Sequence, residues 1–177
     1  MKITKTRETQ MTWDQIREAI ESGTLDPGDK INIEGCDWKV LAKAASKNGG
    51  VALIWKCTGL KDHVFNESGS NVYEGSDIQK YLQNEFREDL PEEMLQMVSD
   101  EGFFLLKEEE ICEYMPREID RIATDEDDCT TWYWTASPLV GSGYSVRGVS
   151  PDGRVNYYYA IISLGVAPAC WLQSLHL

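Results

Sequence analysis

"VNYYYAIISLGVAPACWL", residues 155–172, sets three tyrosines in a row and follows them with two isoleucines, a serine and a leucine. A strand with one buried face alternates apolar and polar side chains, and a surface helix repeats every 3.6 residues. Tyr157, Tyr158, Tyr159, Ile161 and Ile162 do neither. Tyr and Ile favour strands, and a partly buried β segment sheds Lys and Glu for packing reasons alone. Even so, on a half-buried strand some of three adjacent tyrosines must point outward, and exposed aromatic clusters mark contact surfaces. The stretch therefore reads as strand with a face selected for contact.

The same texture extends upstream to Thr130. "TTWYWTASP", "GSGYSVRGVS" and "PDGRVNYYYA" are short strand-like runs broken by turn residues, and Asp152-Gly153 between two of them is a hairpin signal. Residues 131–177 hold two basic residues (Arg147, Arg154), one acidic (Asp152), and no Lys, Glu or Met; the first 130 residues hold the remaining 15 basic and 29 acidic. This shift divides two portions of one fold: an acidic scaffold over 1–130 and a β-rich portion over 131–177.

Helical patterns are confined to the acidic portion. "TWDQIREAIESG" has Thr12 and Gln15 at capping-box spacing, Ile16, Ala19 and Ile20 on one face, and Gly23 as a stop. "SDIQKYLQNEF" repeats the pattern with Ser76 and Gln79, and aligns Ile78, Tyr81, Leu82 and Phe86. Pro91 opens a short helix carrying Met94, Leu95 and Val98, and "KEEEICEYM" puts acids in a first turn, where the helix dipole favours them. Between these, "INIEGCDWKVLAKA" and "VALIWKCT", joined by "SKNGG", read as a hairpin, and "GFFLL" as a buried strand. The fold class that follows is α+β, helices packed on mixed and antiparallel sheets, in a single domain spanning 1–177.

Composition narrows function by exclusion. A net charge of −13 repels phosphate backbones, so nucleic acid is not an expected partner, and no apolar run is long enough to cross a bilayer. Met1 to Arg7 is polar, which predicts cytoplasmic synthesis without a signal peptide. Five scattered cysteines without a C-x-x-C pair, and only His63 and His176, offer little for a disulfide framework, a zinc cage or a catalytic triad. The acidic run "EIDRIATDEDD" lacks the glycine and distal glutamate of an EF-hand and reads as a solvated loop. No metal, no cofactor and no catalytic residues are expected.

In order, "SDIQKYLQNEF", "GFFLLKEEEI", "WYWTASP", "SPDGRVN" and "GVAPACWL" resemble the motifs of a family of uncharacterised domains common in gut bacteria and their phages. Its members read roughly S-x-I-R-x-x-L-N-x-x-F, F-L-L-S-x-x-E, W-W-L-R-S-P, V-x-x-D-G and G-V-R-P-A-L-W-L. The likeness spans about residues 73–172. This chain departs from it at Thr135-Ala136, Ala167 and Cys170, where the family has Leu-Arg, Arg and Leu. The family looks like the C-type-lectin fold of formylglycine-generating-enzyme-like and phage receptor-binding proteins.

That resemblance implies a role. Such folds include the targets of diversity-generating retroelements, which randomise adenines so that changed codons reach neither Lys, Glu, Gln, Met nor Trp. Tyr133, Thr135, Ala136, Tyr144, Arg147, Tyr157, Tyr158, Tyr159, Ile161, Ile162, Ser163, Leu164 and Ala167 all fall in the reachable set. The resemblance makes them candidate ligand-binding, variable positions, framed by Trp132, Trp134, Gly153, Gly165, Pro168 and Trp171. The implied partner is a protein or cell-surface ligand, with oligomerisation left open and association with a virion as one destination. An invariant phage structural or accessory protein of the same fold is the alternative. Formylglycine-type catalysis would need paired reactive cysteines or copper, and Cys170 has no near neighbour in sequence.

Overall fold

The computed structural model describes residues 10–46 and 49–174; Met1 to Arg7, Lys47 and Asn48 of the SKNGG turn, and His176 lie outside the described residues. Helix α1 (Trp13–Ser22) begins where Thr12 Oγ1 accepts the Gln15 N–H at 3.2 Å and Gln15 Oε1 accepts the Thr12 N–H at 2.8 Å. Gly23, at φ 69°, ends it, and Ile16, Ala19 and Ile20 turn inward.

The segment read as one strand over 31–44 is itself a hairpin of β1 (Lys30–Ile33) and β2 (Cys36–Ser46). Glu34 (φ 52°) and Gly35 (φ 83°) both take the left-handed conformation a two-residue turn requires. Glutamate is not a usual turn former there, so the signal was weak in sequence. Next, β2 pairs antiparallel with β3 (Gly49–Lys56), with a bulge at Val40/Ala42.

After β4 (Asp62–Val64), the patterned run 76–86 is two helices, α2 (Asp77–Gln83) and α3 (Glu85–Glu88), because Asn84 breaks it at φ −123°, ψ −85°. Ser76 Oγ accepts the Gln79 N–H, but the Gln79 amide oxygen accepts from Gly75 instead of closing a capping box on Ser76. Then follow α4 (Glu92–Met97), β5 (Phe104–Leu105), α5 (Glu108–Tyr114), a 3-10 turn (Glu118–Arg121), and the short pair β6 (Ala123–Thr124) and β7 (Thr130–Thr131).

The last portion supplies β8 (Tyr133–Pro138), β9 (Ser145–Val149), β10 (Val155–Tyr159), β11 (Ser163–Gly165) and β12 (Pro168–Gln173). Two five-stranded sheets result, ordered β1-β2-β3-β12-β5 and β10-β9-β8-β11-β4. The opening stretch has no period because it is three strands: β10 edges the second sheet, β11 lies inside that sheet, and β12 inserts into the first. Only β8–β11 is a parallel pairing within the two sheets; the other pairs run antiparallel. The described chain is mixed α+β with sheet predominant.

Apolar burial falls into two clusters. One gathers Ile16 and Ile20, Trp38, Ile54, Phe65, Ile78, Leu82, Met94, Trp134, Val146, Leu164 and Cys170. The other holds Leu41, Leu53, Trp55, Ile111, Tyr133, Val149, Ala167 and Ala169. Neighbouring residues along β8 and β12 fall into opposite clusters, so both strands are covered on both faces. Among the described residues, no helix is long and apolar enough to cross a membrane.

Candidate ligand-binding face

Two-sided burial splits the thirteen candidate positions. Tyr133, Thr135, Ala136, Leu164 and Ala167 are buried, with exposures between 0 and 8%. They are therefore not outward contact points, which corrects the expectation for these five. The resemblance offered these positions by codon alone; β8 and β11 lie inside the second sheet, where a strand covered on both faces has no outward side, and Ala167 packs in the link between β11 and β12.

Their bonds are those of interior residues. The Tyr133 hydroxyl donates to the Arg121 carbonyl at 2.6 Å, and its ring lies 5.5 Å from that of Trp55. Burial pushes this phenol far above the ordinary tyrosine range. Thr135 Oγ1 donates to the Arg147 carbonyl at 2.9 Å and accepts the Ser137 N–H at 3.1 Å. Ala167 packs in the second cluster, so a side chain as long as arginine has no room there without rearrangement.

The other eight reach the surface. Tyr144, Tyr157, Tyr159 and Ile161 are more than half exposed, Tyr158 and Ile162 are 39% and 38% exposed, Ser163 is exposed, and Arg147 is half-buried. Strand register sorts the tyrosines. Tyr157 stands opposite Arg147 and Tyr159 opposite Ser145, on one side of the sheet, while Tyr158 stands opposite Val146 on the other. There Tyr158 meets Trp132 edge to face, ring centroids 4.9 Å apart at 89°. The tyrosine run therefore wraps an edge instead of tiling a single flat face.

The ground beneath is stiff. Buried Ala160 sits between the exposed residues; its N–H donates to the Tyr144 carbonyl at 2.8 Å, and its carbonyl accepts from Phe65 and Asn66 at 3.1 and 3.0 Å. The Ile162 N–H closes a turn on the Tyr159 carbonyl at 3.0 Å. Buried Asn71 ties the neighbouring loop, its amide donating to the Ser142 and Ser145 carbonyls at 2.7 and 3.0 Å. Three loops thus converge beside β10.

The edge itself is partly closed to strand addition. The Tyr157 N–H donates to Asn156 Oδ1 at 2.9 Å, and the Tyr159 carbonyl is taken by the Ile162 turn. Recognition here runs through side chains rather than through a backbone ladder. The face is electrostatically quiet: Arg147 lies 3.4 Å from Glu108, and Arg154 lies 3.5 and 3.6 Å from Asp152 and Glu118.

A cavity of about 370 Å³ was not foreseen. It opens between the β1–β2 turn, the end of β3, α2, α3 and the loop 125–128, and none of the thirteen candidates lines it. Its residues come from separate segments: Tyr81 and Phe86 from the patterned run 76–86, Asp125, Glu126 and Asp128 from the acidic run 118–128, and Trp38 and Lys56 from the expected hairpin. Among the described residues, no group of three or more His, Cys, Asp or Glu is placed to hold a metal ion.

Neither the curated proteins nor the solved structures contain a match to this chain. Residues 98–174, which take in β5 through β12 and every candidate position on the face, are similar to a family described as "Domain of unknown function (DUF6273)".

Proposed function

We propose that this chain is a ligand-binding protein that recognises a protein or cell-surface partner through the outward residues of β10 and the turn after it. The observation that carries this is a cluster of large exposed side chains, Tyr144, Tyr157, Tyr158, Tyr159, Ile161 and Ile162, on hydrogen-bonded ground. A tyrosine offers wide amphipathic contact at the cost of freezing two torsions, and its hydroxyl both donates and accepts. Such a site binds by apolar burial and needs neither metal nor cofactor.

On this reading the fold is C-type-lectin-like, and the chain is a phage or gut-bacterial receptor-recognition protein whose surface is diversified by a retroelement. The variable set shrinks to Tyr144, Arg147, Tyr157, Tyr158, Tyr159, Ile161, Ile162 and Ser163; the five interior positions belong to the frame. Sister genes at the locus test the diversification directly. Substitutions at adenines should crowd these eight codons, with a reverse transcriptase nearby, and spare Tyr133, Thr135, Ala136, Leu164 and Ala167. Changes spread evenly over all thirteen would contradict it.

Binding itself is tested with fluorescently labelled protein on intact gut-bacterial and phage panels. Each anchoring tyrosine contributes about 2 kcal/mol or more, so Tyr157→Ala and Tyr159→Ala should each weaken any saturable binding roughly 30-fold. Unchanged binding in both variants would remove the face from consideration. A fall in particle mass on Tyr158→Ala, measured by light scattering, would favour the structural phage protein whose tyrosines pack against a second copy.

A further inference from the structure

The 370 Å³ cavity carries chemistry that the tyrosine face does not use. Its apolar lining includes Trp38, Tyr81 and Phe86. Lys56, from the end of β3, reaches in and sets its ammonium 5.8 Å from the centre of the Phe86 ring. Among the described residues its amine makes no hydrogen bond and no ion pair. The contrast with Lys39 and Lys43 is plain: Lys39 donates to the Asp120 carbonyl at 2.7 Å, and Lys43 to Gly23 and Asp26 at the same distance.

Charge at the mouth limits what can enter. Glu34, Asp89, Asp125, Glu126 and Asp128 line the cavity against two ammonium groups, Lys56 and Lys61. The carboxylate excess repels a free anion, while Lys56 already occupies the place a cation would take over the Phe86 ring. A neutral, planar molecule that stacks on the aromatic wall is the occupant these charges admit. We propose that the cavity is a second binding site, for a small neutral carbonyl compound of the aromatic aldehyde type, which Lys56 captures as an imine.

The step balances without a further reagent. The Lys56 nitrogen, as free amine, adds its lone pair to the carbonyl carbon to give a carbinolamine. A proton moves from nitrogen to oxygen, that oxygen leaves as water, and a carbon–nitrogen double bond remains. Burial pulls the Lys56 ammonium below the ordinary lysine range; Cys36, Glu126 and Asp89 pull it back up, and the neighbouring Lys61 adds to the lowering. An amine partly desolvated against aromatic rings and beside another cation is the setting in which lysine becomes a nucleophile. Asp89 and Glu126 are the nearby carboxylates able to return a proton to the departing oxygen.

Salicylaldehyde with cyanoborohydride, followed by peptide mapping of the full chain, tests this. In the native protein Lys56 should take up label on the order of tenfold faster than the exposed Lys80 and Lys107, and the advantage should vanish in urea. Lys56→Arg should remove the fast-labelling site while leaving the others unchanged. Labelling of Lys56 at or below the rate of Lys80 in the folded chain would overturn the proposal.

Discussion

Trp134→Ala should lower the stability of this protein by about 3–5 kcal/mol, a large share of the roughly 5–15 kcal/mol that holds a domain folded. The indole is 1% exposed, its Nε1–H donates to the His63 carbonyl at 3.0 Å, and the Phe65 ring meets it edge-on at 5.6 Å. Truncation leaves a cavity in the first cluster and strips a carbonyl of β4 of its donor. At about 2–4 °C per kcal/mol for a chain of this size, the melting midpoint should fall by roughly 6–20 °C. Trp134→Phe, which keeps most of the apolar volume and loses the N–H, should recover more than half of that. A fall under about 2 °C for the alanine variant would mean that this indole does not fasten β8 to β4 and Phe65.

The second large effect sits on the hairpin that presents the tyrosines. Gly153 has φ 85°, and a Cβ built there would fall on the Glu118 carbonyl, so the β9–β10 hairpin rests against the 3-10 turn through a backbone contact. Arg121 reinforces the junction: it is buried, donates to the Met115 and Pro116 carbonyls at 2.7 and 3.2 Å, and reaches the Gly153 carbonyl at 3.4 Å. Gly153→Ala should therefore cost about 2–5 kcal/mol, combining backbone strain with the forced separation. Gly141 is the natural control, with φ 86° and nothing within 4 Å of its would-be Cβ. Gly141→Ala bears the strain alone, about 1–2 kcal/mol. The difference between their urea midpoints isolates the Glu118 contact; equal midpoints would show that the hairpin does not lean on it.

How much of this was legible in the sequence follows from how local each signal is. The α1 cap is a contact between Thr12 and Gln15, three residues apart, and it formed as spelled. Asp152-Gly153 announced the β9–β10 hairpin for the same reason. Glu34-Gly35 did the work of an Asn-Gly turn with an unusual first residue, so one expected strand became two. Asn84 broke a helical pattern that hydrophobic spacing alone carried through to Phe86.

Burial divides the candidate positions along one line. Exposure of Tyr157 to Tyr159 is a property of an edge strand, and a run without alternation is compatible with that. Tyr133, Thr135 and Ala136 lie on β8, which has neighbours on both sides and cover on both faces, and none of this is written within β8 itself. Reaching the codon set that a retroelement allows says which residues are permitted at a position, not which way the side chain points. The Lys56 cavity was hidden for a similar reason: Trp38, Lys56, Phe86 and Glu126 are brought together only by tertiary packing.

The proposed function rests on outward side chains that can change freely on a frame that cannot. A single thermal-melt comparison tests it: one chain carrying serine at Tyr144, Tyr157, Tyr159 and Ile161 together, against one carrying only Leu164→Ser. Surface changes of this kind stay within about 0.5 kcal/mol each, so the fourfold variant should melt within about 8 °C of the parent. Leu164→Ser, which puts a hydroxyl into the first cluster, should lower the midpoint by roughly 10 °C or more. A fourfold variant that melts as low as Leu164→Ser would show the exposed tyrosines and isoleucine to be part of the fold's support, contradicting the account.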